Sequence, residues 1–175
     1  MEIIGGRLMK LFQQIIAILC LFAAGLILTA AICGAGGLSQ ACIDKAVNIK
    51  NFKVYVERSD KYNAAVHRTQ RYLRITDTLK DFLDNDELCS VVLHENAHIA
   101  LRHNDSTHYN DFKADSLAAI HMRSLKLDPM TGCYALVKVA EQVGLNLDAA
   151  SDTHPSINDR CENIARTIRG QYTRR

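Results

Sequence analysis

The stretch Asp84-Asn85-Asp86-Glu87-Leu88-Cys89-Ser90-Val91-Val92-Leu93-His94-Glu95-Asn96-Ala97-His98 decides how this chain is read. Its end is an H-E-x-x-H pattern, and its beginning is a helix start. Asp84 can serve as N-cap, and Glu87 three residues later completes a capping-box pair. Asp86 and Glu87 suit the positive end of the helix dipole. Leu88, Val91, Val92 and Ile99 recur at helical spacing and give the helix a side to bury. On such a helix His94 and His98 lie on one face, one turn apart. Their ring nitrogens can then converge on one ion, and Zn²⁺ accepts imidazole readily. Glu95, beside the first histidine, falls where a general base is needed for a water at the metal. The helix is expected to fade near the polar cluster His103-Asn104-Asp105-Ser106.

A catalytic zinc needs a third protein ligand and an open position. The metzincin pattern would place Gly at 101 and His at 104, where this chain has Leu101 and Asn104. Asp111 is the next candidate. It belongs to a second helix expected over residues 110–126, where Asp111 and Asp115 share a face. One of the two can ligate the metal while the other accepts the N–H of a ligand histidine. His103 and His108 are rival ligands within reach of the loop.

Beyond the pentapeptide, the chain resembles the gluzincin peptidases that include the heat-shock protease HtpX and the CAAX prenyl endopeptidases. That family follows its zinc motif with Glu-x-x-Ala-Asp, and the matching stretch here is Asp111-Phe112-Lys113-Ala114-Asp115. Leu127-Asp128-Pro129 and a helix over residues 131–143 resemble its next turn and helix. Thr153-His154-Pro155 and Arg160 match its Thr-His-Pro and Arg. Asn63-Ala64, followed by Arg74 to Leu79, resembles its upstream segment. The resemblance spans about residues 50–170. It implies that Zn²⁺ is held by His94, His98 and Asp111. It further implies that Asp115 orients a ligand histidine and that His154 and Arg160 stabilise the oxyanion. Asn63 and Ala64 would then contact substrate at a sheet edge. The family's third ligand is Glu, whereas Asp111 is one methylene shorter, so either the second helix must approach the metal more closely or the metal must shift. The segment between His98 and Asp111 is also short for the family.

Composition sets the outer limits. The chain has 175 residues and a net charge of +2, a balance that suggests no nucleic-acid partner. Residues 15–35 contain no charge and one hydroxyl, Thr29, which meets the ~20-residue requirement for crossing a bilayer. Arg7 and Lys10 precede this run. It reads as an uncleaved anchor rather than a secretory signal peptide, whose apolar region is usually ~7–15 residues. Residues 1–37 are thus expected as a membrane anchor (or signal peptide) and residues 38–175 as one zincin-like domain. A lone N-terminal apolar segment most often exports the domain behind it. The expected location is therefore a single-pass membrane protein with its catalytic part outside the cytoplasm, periplasmic or extracellular. Cys42, Cys89, Cys133 and Cys161 lie outside the apolar run, scattered without C-x-x-C spacing. They permit disulfides but do not demand them; Cys89 is expected in the core.

Residues 53–56 and 72–76 read as strands, and everything after Leu79 reads as helix and loop. Pro155 suits the first turn of a last helix, striped by Ile157, Cys161, Ile164, Ala165 and Ile168. The expected fold class is α+β: a helix-dominated zincin-like domain with a small sheet, preceded by a transmembrane helix. The expected function is membrane-anchored zinc endopeptidase. Its partners would be the lipid bilayer and protein or peptide substrates, misfolded or membrane-associated ones included. The alternative is an inactive zinc-binding homologue that acts as a membrane-tethered binding or chaperone-like module.

Overall fold

The chain divides into two units, Met1–Gly36 and Gly37–Arg175. The computed structural model describes residues 42, 53–67, 69, 70, 72–105 and 107–170, all in the second unit. The expected anchor over residues 15–35 lies outside the described residues. Among those described, no helix is long and apolar enough to cross a membrane.

A three-stranded sheet comes first. Strand β1 (Lys53–Glu57) pairs in parallel with β3 (Tyr72–Thr76), and β2 (Ala64–His67) pairs with β3 antiparallel, in the order β1-β3-β2. The central strand alternates as a half-buried strand should. Leu73 and Ile75 are buried, while Arg74 points to solvent and pairs with Glu57 at 3.0 Å. Strand β2 was not anticipated from the sequence. Its four residues lack alternation, and it owes its existence to the free edge of β3.

Five helices follow among the described residues: α1 (Asp77–Phe82), α2 (Asn85–Ala100), α3 (His108–Ser124), α4 (Thr131–Val143) and α5 (Ile157–Ile168). The start of α2 is as its sequence dictates. Asp84 accepts from the N–H of Asp86 and Glu87 at 2.9 and 2.8 Å, and Glu87 returns the bond to the N–H of Asp84 at 2.9 Å. Such a cap stabilises a helix by ~1 kcal/mol. Glu87 also accepts from Lys138 Nζ of α4 at 2.7 Å. The last helix departs slightly from expectation. Ser156 accepts from the N–H of Asp159 at 3.1 Å and is the N-cap of α5. Pro155 therefore stands just before the cap and not within the first turn.

The main core lies between the sheet and α2. Leu73, Ile75, Leu88, Val92 and Leu93 are buried together with Leu79, Leu83 and Met122. A smaller cluster of Ala119, Cys133 and Ile164 joins α3, α4 and α5. Between α3 and α5 the contact is partly polar. Asn163 Nδ2 donates to the Phe112 carbonyl (2.8 Å) and to Ser116 Oγ (3.1 Å), and Ser116 Oγ lies 2.9 Å from Thr167 Oγ1. These bonds fix the register that sets Arg160 opposite Asp115. Disulfides join Cys42 to Cys89 on α2 and Cys133 on α4 to Cys161 on α5. Cys89 is thus buried as expected, and it is covalently paired as well.

Candidate metal centre

Helix α2 runs with one side in the core, and the histidine face emerges at the border of that side. His98 is buried and His94 half-buried. Their Nε2 atoms face each other at 3.1 Å, and Asp111 Oδ1 of α3 lies 3.4 Å from His98 Nε2. One ligand atom from each of the three residues falls within 4.8 Å of the others. Two donors about a tetrahedral zinc at ~2.05 Å stand ~3.3 Å apart, so these separations suit a shared ion. The donor chemistry suits it too: two imidazoles and a carboxylate are a known catalytic ligand combination for zinc. Packing resolves the short side chain at position 111. Asp111 is fully buried in the first turn of α3, which lies directly against α2.

Behind this trio stands a line of charge. Asp115 Oδ1 accepts from His94 Nδ1 at 2.8 Å and from Arg160 Nη2 at 2.7 Å, while Oδ2 accepts from Arg160 Nε at 2.9 Å. Arg160 Nη2 also lies 3.4 Å from His94 Nδ1. Both atoms carry protons aimed at the same carboxylate, so that approach is a shared acceptor and not a further bond. Burial alone would raise the pKa of Asp115. The Arg160 guanidinium, and then His94, overcome it and hold the carboxyl at about 2. Arg160 experiences the converse. Burial pulls its pKa down, and the charge of Asp115 more than restores it. With Nδ1 committed to Asp115, His94 directs its Nε2 lone pair towards the cluster.

His154 reaches the cluster from the loop before α5. A tight turn holds it there: Ser151 Oγ accepts from the His154 N–H at 2.9 Å, and the Ser151 N–H donates to the His154 carbonyl at 2.9 Å. His154 Nδ1 meets Asp111 Oδ2 at 2.6 Å, leaving Oδ1 for the metal side. Asp111 is lowered well below the usual carboxylate range. Its burial acts the other way, and the bonds from His154 and His98 prevail. His154 is raised, chiefly by its bond to Asp111.

The rival ligands from the sequence sit elsewhere. His108 Nε2 bonds the Ser151 carbonyl at 2.7 Å and ties the start of α3 to the His154 turn. His103 is buried behind His98, with Nδ1 3.0 Å from His98 Nδ1. Ala64 begins the edge strand β2, and Asn63 stands just before it. The Asn63 carbonyl accepts from the Thr76 N–H at 3.0 Å, and Ala64 lines the cavity described next.

A cavity of about 550 Å³ opens from the cluster, within the size range of ligand pockets. His94, Glu95, His154 and Arg160 line one part of it. Leu79, Val91, Met122, Leu136, Val139 and Ile164 line the rest. Among the described residues Glu95 holds no hydrogen bond, and its charge acts on both His154 and Arg160. The apolar chamber has no counterpart in the sequence reading, because its walls come from all five described helices, strand β2 and the loop before α5, which no local pattern connects.

Two histidine nitrogens facing each other at 3.1 Å and a carboxylate third donor could hold a metal ion, with the glutamate of the H-E-x-x-H pattern on the cavity wall beside them. Residues 36–110 match the family model of peptidase family M48, whose members are metal-dependent peptidases. The match supports a metallopeptidase, covers the sheet and all of α2, and stops one residue before Asp111. No curated protein and no solved structure matches the chain.

Proposed function

We propose that this chain is a membrane-anchored zinc endopeptidase of the HtpX and CAAX prenyl endopeptidase kind, cutting peptide bonds in protein substrates outside the cytoplasm. The observation that carries the reading is the convergence of His94 Nε2, His98 Nε2 and Asp111 Oδ1 beside Glu95 on the cavity wall. Zinc bound there would polarise the scissile carbonyl and acidify a water. Glu95 takes a proton from the attacking water and delivers it to the leaving amine. Asp115, clamped by Arg160, keeps His94 in the ligating tautomer. His154 holds the free oxygen of Asp111 and borders the cavity, from which its ring can face a developing oxyanion. Arg160 adds positive charge to the same wall. Strand β2, open on one side in the order β1-β3-β2, offers main-chain groups to an extended peptide. The adjoining apolar chamber favours a large apolar side chain next to the scissile bond.

The location rests on two supports. Residues 15–35 are uncharged, and the pairs Cys42–Cys89 and Cys133–Cys161 suit an oxidising compartment. The test is proteolysis of an unfolded protein by the full chain in detergent, with and without chelator, alongside Glu95→Gln. Glu95→Gln should retain zinc and lose turnover by ~10²–10⁴-fold. Undiminished proteolysis in that variant would refute the mechanism. Zinc binding with no activity in the wild type would favour the binding-module alternative.

A further inference from the structure

Helix α2 ends in a left-handed turn, as α3 does at Lys126. After Ala100 the chain passes through Leu101 and then Arg102 at φ 57. This left-handed conformation is ordinarily left to glycine, and a non-glycine residue held there is strained. The reversal is secured by the His103 N–H, which donates to the His98 carbonyl at 3.0 Å, and by the Leu101 N–H on the Ala97 carbonyl at 2.9 Å. Its product is the position of one side chain. His103 folds back under the helix end, is buried, and sets its ring edge-on to His98 with centroids 5.0 Å apart.

We propose that His103 is a positioning residue that fixes the tautomer and ring angle of the metal ligand His98. The inference rests on the metal centre of the proposed function. An imidazole that gives its Nε2 lone pair to a metal carries its proton on Nδ1, and that proton needs an acceptor. For His94 the acceptor is Asp115. For His98 the atom in place is His103 Nδ1, 3.0 Å from His98 Nδ1. In this arrangement His103 Nδ1 accepts the bond that His98 Nδ1–H donates. The two ligands are thus backed differently, one by a carboxylate and the other by an imidazole.

The test uses the full chain in detergent at fixed pH. Zn²⁺ affinity is measured by competition with a chromogenic chelator, and Co²⁺ absorption reports the ligand set. His103→Ala should bind Zn²⁺ ~10–100-fold more weakly, the usual loss for such a partner. Its spectrum at saturating Co²⁺ should match the wild type, because His103 is not a ligand. His103→Asn places an amide oxygen where Nδ1 stood and should recover most of the affinity. His103→Gln, with its oxygen displaced, should not. Unchanged affinity in His103→Ala would overturn the proposal. So would equal losses in the Asn and Gln variants, or an altered cobalt spectrum, which would make His103 a ligand itself. A wild type that binds zinc tightly but cleaves nothing would remove the peptidase reading and leave this inference standing.

Discussion

Replacing Asp115 by Asn removes one negative charge from a buried site that joins His94 to Arg160. Two routes give its cost. The carboxyl is held at about 2 against an ordinary 3.8. Holding the carboxyl that far below its ordinary value corresponds to about 2 kcal/mol of stability. Because the folded pKa is the lower one, this stability is fully present above the unfolded pKa. It disappears as pH falls from about 4 through about 2. Removing one partner of a buried pair also strands the other charge, a loss of ~3–5 kcal/mol, and the Arg160 side chain is only 11% exposed. Asp115→Asn should therefore lower the unfolding free energy of the full, metal-free chain by about 3 kcal/mol at pH 7. Urea titration in detergent, with chelator present and disulfides intact, measures it. The gap between variant and wild type should narrow as pH drops below 4. A variant within ~0.5 kcal/mol of wild type at pH 7, or a gap as large at pH 2.5 as at pH 7, would refute the argument. The double variant Asp115→Leu/Arg160→Met should recover much of the loss, since no charge is left behind.

Asp111→Ala should strip zinc from the purified protein, whereas His108→Ala, whose ring bonds the Ser151 carbonyl, should retain it; metal analysis of both decides. Peptides carrying Phe or Leu beside the scissile bond should exceed their Ala counterparts in kcat/KM by ~10-fold or more, and equal rates would show that substrate does not enter the chamber. Replacing Cys133 and Cys161 together by Ala opens a link spanning 28 residues and should cost about 3–4 kcal/mol in unfolding free energy, read as a lower urea midpoint against the oxidised wild type.

Much of this architecture was legible because it is local. The Asp84/Glu87 cap, the stripe of α2 and strands β1 and β3 all announce themselves within a few residues of sequence, while helix α4 was read through the resemblance. The Asp111/Asp115 face was readable from spacing alone, although spacing did not say which aspartate faces the metal. What escaped was whatever depends on partners distant in the chain. Strand β2 has no pattern of its own and forms because β3 accepts it. The cysteine pairings join residues 47 and 28 positions apart, and spacing is silent on them. His103 looked like a rival ligand because its type was visible and its direction was not. The turn at Arg102 carries no glycine to betray it. Arg160, read through the resemblance as an oxyanion stabiliser, gained its tie to Asp115 only once α5 was seen against α3.

Arg160 lies 66 residues beyond His94, and this separation bears on how the protein is made. As the chain emerges during synthesis, His94 and Glu95 appear long before α5. Until α5 docks, Asp115 lacks its guanidinium, His94 lacks a fixed tautomer, and Asp111 lacks His154. A half-made chain thus carries the H-E-x-x-H sequence without a formed centre. The docking of α5, the last of the described helices, completes the set of side chains that surround His94 and Asp111.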